Sequence, residues 1–125
     1  MGCDIHGWVE VNDGSKWIAI KELKSAERNY RRFAALAGVR NYNNEYSAEP
    51  RGLPSDVSET AKYDIEQLGT DGHSHSYMSI REASAIFLDT TYQPRNFAKE
   101  YPESEYFDVE IEDIDNFRLI FWFDN

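Results

Sequence analysis

The sequence predicts an α+β fold, in which an N-terminal and a C-terminal β-hairpin form one antiparallel sheet and two or three helices pack on one face of it. Three observations predict this class. Polar and apolar residues alternate near both ends of the chain, helical spacing occupies the middle, and turn-forming residues separate the segments. The length of 125 residues corresponds to a single domain spanning residues 1–125.

The first predicted hairpin lies at the N-terminal end. Residues 3–11 alternate between apolar and polar side chains, which is the period of a strand with one buried face. Asn12–Ser15 contains turn-forming residues, because a glycine after aspartate adopts a positive φ at little cost. Residues 17–20 are therefore expected to form the returning strand.

The middle of the chain carries the helix signals. Apolar spacing and the stop at Gly38 predict the first helix. A capping box formed by Asp56 and Glu59 opens the second helix, and the same signature at Ser79 opens the third. A His-rich turn is expected between the second and the third. The predicted helices cover residues 25–37, about 57–68 and 79–88.

The second predicted hairpin lies at the C-terminal end. Residues 107–111 alternate between apolar and acidic side chains, and residues 117–123 are a dense run of β-forming types. Asp115 and Asn116 supply the turn between them. We expect these two segments to pair.

Composition and charge exclude several classes of protein. Apolar residues make up 41% of the chain, which excludes a disordered chain. The net charge of -10 repels a phosphate backbone, so direct nucleic-acid binding is disfavoured. One cysteine cannot form an intramolecular disulfide, and no apolar stretch approaches the roughly 20 residues of a membrane span. We therefore expect a cytoplasmic protein that does not contact the membrane.

The histidines form a candidate metal site. All three lie in two short clusters, at His6 and at His73 and His75. In extended segments Asp4 shares a face with His6, and His73 shares a face with His75. Three imidazoles and a carboxylate complete a tetrahedral zinc shell. The sequence therefore predicts zinc as a cofactor, held by Asp4, His6, His73 and His75.

Other interpretations of these residues stay open. Cys3 in place of Asp4 would give the mixed sulfur and nitrogen ligands of structural zinc sites, and Asp71 is a further candidate ligand. Histidines beside serines are also common on exposed surfaces. Asp71 followed by Gly72 favours a turn whether or not a metal ion is bound. We assign no catalytic residue.

Acidic residues are concentrated at the C-terminal end. Residues 103–125 hold eight acidic residues and one basic residue, which contribute -7 of the net charge. Asp108, Glu110 and Glu112 alternate with apolar residues and are predicted to share a solvent face. Such a face either keeps the strand solvated or attracts a basic partner. These three are the candidate partner-binding residues.

Four short motifs carry a resemblance to a known group of proteins. They are the opening Met1–His6, the segment Gly38–Asn41, the loop Glu49–Pro54 and the turn Asp71–Ser74. Over roughly residues 1 to 90, the chain resembles small proteins carried by phages and prophages. Within that group it is similar to metal-containing anti-CRISPR proteins. No motif after residue 90 matches.

The resemblance implies a function in counter-defence. The protein would be a non-enzymatic inhibitor that binds the type II CRISPR effector nuclease of the host and keeps target DNA from loading, with zinc serving the structure. Two rivals stay open. One is a metal-dependent phosphohydrolase with Asp4, His6 and His73 at the ion. The other is a binding protein that sequesters a nucleotide immune signal through arginines, whose guanidinium groups suit phosphate. Those arginines are Arg28, Arg40 and Arg51.

Overall fold

The computed structural model describes residues 2–23, 30–41, 48–88 and 115–124, with the backbone alone described at residues 31, 87 and 88. Its elements are β1 (Asp4–Asn12), β2 (Trp17–Glu22), α1 (Tyr30–Ala37), α2 (Glu59–Leu68), a 3-10 turn (Gly69–Asp71), β3 (Gly72–Ser79), α3 (Ile80–Leu88) and β4 (Phe117–Asp124). In these ranges no helix is long and apolar enough to cross a membrane.

The four strands form one antiparallel sheet in the order β2-β1-β4-β3. This confirms the predicted α+β class, and it brings β1 and β4 side by side. The N-terminal hairpin is also confirmed, since β1 pairs directly with β2 through a turn at Gly14, whose φ is 100°. The partner predicted for β4, residues 107–111, lies outside the described residues. Within the described sheet, both edges of β4 are occupied, by β1 and by β3.

Both faces of the sheet are covered by helices. Alternate residues of β4 belong to two different apolar clusters, with Phe121 in one and Trp122 in the other. Helices α1 and α3 contribute to the first cluster, while α2 contributes Ala61 to the second. The prediction that the helices pack on one face therefore holds for α1 and α3 only. The reason is that β4 is apolar at both parities, as strands buried on both faces are.

The helix limits differ in detail from the predicted ones. Residues 25–29 of the first predicted helix lie outside the described residues, and α1 is described from Tyr30. The capping box at Asp56 was wrong, because α2 is capped by Ser58, whose hydroxyl accepts a hydrogen bond from the Ala61 amide at 3.3 Å. The cap predicted for α3 is confirmed, since the Glu82 amide donates to Ser79 Oγ at 3.1 Å.

The predicted His-rich turn is instead the strand β3. Its pairing with β4 shifts between His73 and Ser76, so that two residues, Ser74 and His75, face one residue of the partner strand. Ser74 adopts a φ of 57°, which is the left-handed conformation found in such bulges. The extra residue breaks the alternation that identifies a strand, and this explains why the sequence pattern indicated a turn.

Candidate functional site: a pocket beneath helix α2

His6 on β1 is paired with the last described residue of β4. His6 Nε2 lies 2.8 Å from Asp124 Oδ2, and the Asp4 amide donates to Asp124 Oδ1 at 3.1 Å. Because an ionised carboxylate only accepts hydrogen bonds, Nε2 carries the hydrogen of this pair. The sheet register causes the contact, since Asp4 is the direct cross-strand partner of Asp124. Asp124 thus supplies the carboxylate for His6.

Trp122 lies between two of the histidines. Its ring is 6.1 Å from that of His6, with an interplanar angle of 20°, and 6.5 Å from that of His75, with an angle of 24°. His6 is the cross-strand partner of Trp122 on β1, and the bulge of β3 places His75 opposite Trp122 on the other side. Three nearly parallel rings therefore cross β1, β4 and β3 on the α2 side of the sheet.

His73 lies on the other face of the sheet. It pairs with Phe123, whose ring is 6.3 Å away and belongs to the cluster under α1 and α3. Its Nδ1 is 2.9 Å from Ser74 Oγ. Strand alternation would have placed His73 and His75 together, but the extra residue of the bulge places them on opposite faces. The bulge therefore separates the histidine pair on which the zinc prediction depended.

The environment of His75 disfavours its charged form. Burial, and after it the charge of His73, lower the pKa of His75 below its usual value of 6.5. Its Nε2 is buried and has no hydrogen-bond partner among the described residues. A neutral imidazole at this position avoids placing an unpaired charge beneath the helix.

The predicted zinc ligands do not converge in the described structure. Asp4 and His6 share a face, as predicted, whereas His73 lies on the opposite one. The alternative ligand Cys3 is fully buried in the core, where burial raises the pKa of its thiol. Asp71 is exposed in the 3-10 turn. Over the described ranges, no group of three or more His, Cys, Asp or Glu residues is arranged to hold a metal ion. The structure thus gives no support to zinc, which stays a prediction.

A pocket lies on the same face as His6, between the sheet and α2. We call it the α2 pocket, and its volume is about 260 Å³. Its described lining consists of His6, Gly7 and Trp8 from β1, Asp64, Gln67 and Leu68 from α2, Glu22 from β2 and Trp122 from β4. It is slightly smaller than the roughly 300–1,000 Å³ of sites for drug-sized ligands, so it suits a group about the size of one side chain.

The position of Asp64 explains the chemistry of the α2 pocket. Asp64 follows Ala61 by three residues and precedes Leu68 by four, so it lies on the helix stripe that faces the sheet. There its Oδ2 accepts a hydrogen bond of 2.7 Å from Trp8 Nε1. The carboxylate and the indole hold each other in place at the wall of the pocket.

Asp64, Trp8 and Asp124 were not among the site residues predicted from the sequence. An acidic residue on the apolar stripe of a helix was a usable signal for Asp64, because a carboxylate partly withdrawn from water favours a hydrogen-bond partner. No comparable signal marked Asp124, whose pairing with His6 depends on the joining of residues 118 positions apart.

Of the arginines predicted to hold a nucleotide, Arg51 is already paired with a carboxylate and Arg40 lies over an aromatic ring. Arg51 makes a two-bond fork to Glu82, at 3.1 and 2.7 Å, and also donates to the Tyr77 carbonyl. Arg40 lies 5.1 Å from the Tyr30 ring, while Arg28 is outside the described residues. The candidate partner-binding residues Asp108, Glu110 and Glu112 are also outside them. The described arrangement thus gives the nucleotide-binding rival no support.

Comparisons with protein-family models, with curated proteins and with solved structures found no match for this chain.

Proposed function

We propose that the protein is an inhibitor that binds a basic protein surface, and that this surface belongs to the type II CRISPR effector nuclease of the host. The observation that carries the proposal is the α2 pocket, in which Glu22 and Asp64 lie beside tryptophan rings on a chain of net charge -10. Acidic and aromatic groups together favour a cationic partner. The identity of that partner comes from the resemblance.

Electrostatics connects this surface to the inhibition of DNA loading. An effector of this class holds its nucleic acids in a positively charged channel. A protein with a strong negative charge is attracted to such a channel and competes there with the phosphate backbone. Covering the channel prevents target DNA from loading without any chemical step.

The geometry favours binding over the hydrolase rival. The three residues proposed to hold its metal lie on two faces of the sheet, since His73 is opposite Asp4 and His6. Cys3, the one thiol, is buried on the face away from the α2 pocket. A thiol nucleophile is disfavoured as well, because it must lie within hydrogen-bond reach of its base, and the side chains of Cys3 and His6 lie on opposite faces of the sheet.

The test is association with the guide-loaded effector, followed by target-DNA loading. We expect the full chain to bind the effector and to reduce DNA loading, with an association rate that falls as salt shortens the Debye length from about 10 Å at 0.1 M. No complex at low salt, or a complex that still loads DNA at the normal rate, would overturn the proposal. Turnover of a phosphodiester that disappears in His73→Ala would favour the hydrolase instead.

A triple variant tests the contribution of the acidic segment. Asp108→Asn, Glu110→Gln and Glu112→Gln together should slow association with the effector. The matched control neutralises three exposed acids elsewhere and so has the same net charge. These control changes are Glu49→Gln, Glu59→Gln and Glu66→Gln. Equal slowing in the two variants would show that total charge alone steers the encounter.

A further inference from the structure

The α2 pocket combines two kinds of group that recognise an organic cation. Glu22 and Asp64 contribute carboxylates, and Trp8 contributes a half-buried indole ring, while the Trp122 ring is almost fully buried between those of His6 and His75. Among the described lining residues there is no lysine or arginine to neutralise the two acids. The field inside the pocket therefore favours a positive charge.

The two carboxylates have different roles. Asp64 Oδ2 is engaged by Trp8 Nε1, but a carboxylate has about four lone-pair sites in total and can accept further hydrogen bonds. Glu22 is exposed at the end of β2 and is the cross-strand neighbour of Trp8. A cation that enters beside Trp8 thus meets one carboxylate held in place by the helix and another at the solvent side.

We propose that the α2 pocket binds the guanidinium group of a single arginine side chain from the protein partner. This inference rests on the proposed function, because it names the group through which the basic surface is recognised. A guanidinium is planar, stacks on an indole and donates along two directions to carboxylates. The pocket volume of about 260 Å³ suits a side chain and is small for a nucleotide.

Other ligand chemistries fit the α2 pocket less well. An anion would meet the two carboxylates, and the described lining holds no lysine or arginine to offset them. A neutral apolar group would remove Glu22 and Asp64 from water without giving either a hydrogen-bond donor, which costs free energy. Lysine carries the right charge, but its compact ammonium lacks the flat surface that stacks on Trp8.

The test is an NMR titration of the full chain with blocked amino acids. The probe is N-acetyl-arginine-methylamide, and its uncharged counterpart of almost the same shape is N-acetyl-citrulline-methylamide. We expect the arginine probe to shift the Trp8 indole N–H signal and the Gly7 amide signal in a saturable way, with a dissociation constant on the order of 1 mM. The citrulline probe should leave both signals in place, and the lysine analogue should bind more weakly.

Two variants locate the site. Glu22→Gln and Asp64→Asn should each weaken the arginine probe by about tenfold or more, because each removes a charge-assisted acceptor. The matched control is Glu66→Gln, an exposed position of α2 outside the described lining, and it should bind the probe as the parent does. Equal binding of citrulline, or equal weakening by Glu66→Gln, would overturn the inference.

Two further measurements separate the possible sources of the cation and the two proposals. Agmatine is a free amine that carries the same guanidinium, and binding about a hundredfold tighter than the blocked arginine would assign the pocket to a small molecule instead.

Effector binding separates this inference from the proposed function. If the pocket holds an arginine of the effector, Glu22→Gln should bind the effector more weakly than the parent chain does. If the arginine probe fails while the effector still binds the parent chain, the pocket inference fails alone. If the probe binds and the effector does not, the proposed function fails while the pocket inference stands.

Discussion

Glu10 and Arg118 form a buried ion pair between the two central strands, with Arg118 Nε donating to Glu10 Oε1 at 2.6 Å. Arg118 also donates to the Asp56 carboxylate at 3.0 Å, and its guanidinium lies 4.0 Å from the Trp17 ring centroid. The second Glu10 oxygen accepts from the Ser58 amide at 2.8 Å, at the start of α2. One pair thus joins β1, β4 and the beginning of the helix that covers the pocket.

Removing one partner of this pair should be strongly destabilising. We expect Arg118→Met to lower the free energy of unfolding by about 3–5 kcal/mol, because it leaves Glu10 buried without its counter-charge. Urea denaturation followed by tryptophan fluorescence measures the change. The control is Arg51→Ala, which breaks an exposed pair and should cost about 1 kcal/mol or less. A similar loss in both variants would contradict the special role of the buried pair.

A double variant separates the pair from its packing. Glu10→Leu combined with Arg118→Met should be more stable than Arg118→Met alone, since no unpaired charge is then buried. If the double variant is the less stable of the two, the Glu10 carboxylate stabilises the fold mainly through its bond to Ser58.

Gly7 allows β1 and β4 to approach each other closely. A Cβ atom at this position would lie 2.7 Å from the Ile120 carbonyl oxygen, a backbone atom of a central strand that cannot move aside. We expect Gly7→Ala to lower the free energy of unfolding by about 1–3 kcal/mol. Gly72→Ala is the control, because the nearest atom to its new Cβ would be the flexible end of the Leu68 side chain, at 3.2 Å, while the Gly69 carbonyl oxygen and His75 Nε2 would lie at an ordinary contact distance of 3.6 Å. Equal losses in urea denaturation would rule out the backbone clash as the cause.

His75 should make stability dependent on pH. Its pKa is lowered in the folded state by burial and by His73, so the folded protein binds fewer protons than the unfolded chain just below the usual value of 6.5. The stability associated with neutral His75 is fully present above pH 6.5, and it is lost as the pH falls through the folded-state pKa of this residue. We expect the urea concentration at the unfolding midpoint to decrease as the pH is lowered from about 7.5 to about 5.5. The decrease should be smaller in His75→Gln. An unchanged slope in the variant would exclude His75 as the titrating group.

Metal analysis tests the zinc prediction directly. The histidine clusters predict about one equivalent of zinc in tag-free protein, with chelator and His6→Ala or His73→Ala each lowering the melting temperature. Elemental analysis and thermal melts measure both effects. A protein that contains no metal and melts at the same temperature with and without chelator would contradict the zinc prediction. The partner of His6 would then be Asp124.

Local chemistry was enough to predict most of the elements. The alternation of β1, the turn at Gly14, the cap at Ser79 and the dense β-forming run of β4 depend on neighbouring residues alone. The strand β3 was missed, because the bulge at Ser74 removes the alternation on which such a prediction depends.

The candidate site was much less predictable. Alternation correctly placed Asp4 and His6 on one face, but it also placed His73 beside His75, and a single extra residue in the strand reverses that result. The carboxylate that reaches His6 belongs to Asp124, and the one that reaches Trp8 belongs to Asp64. Both partners are distant in the chain.

The sequence by itself determined the fold class, the acidic charge and the limits of most strands and helices, because these follow from propensity, periodicity and composition. Only the tertiary structure decided which face of the sheet α2 covers, and with it the pocket and the burial of Glu10 and Arg118. The physical reason is that periodicity assigns side chains to a face of a strand, whereas the burial of that face depends on which distant element packs there.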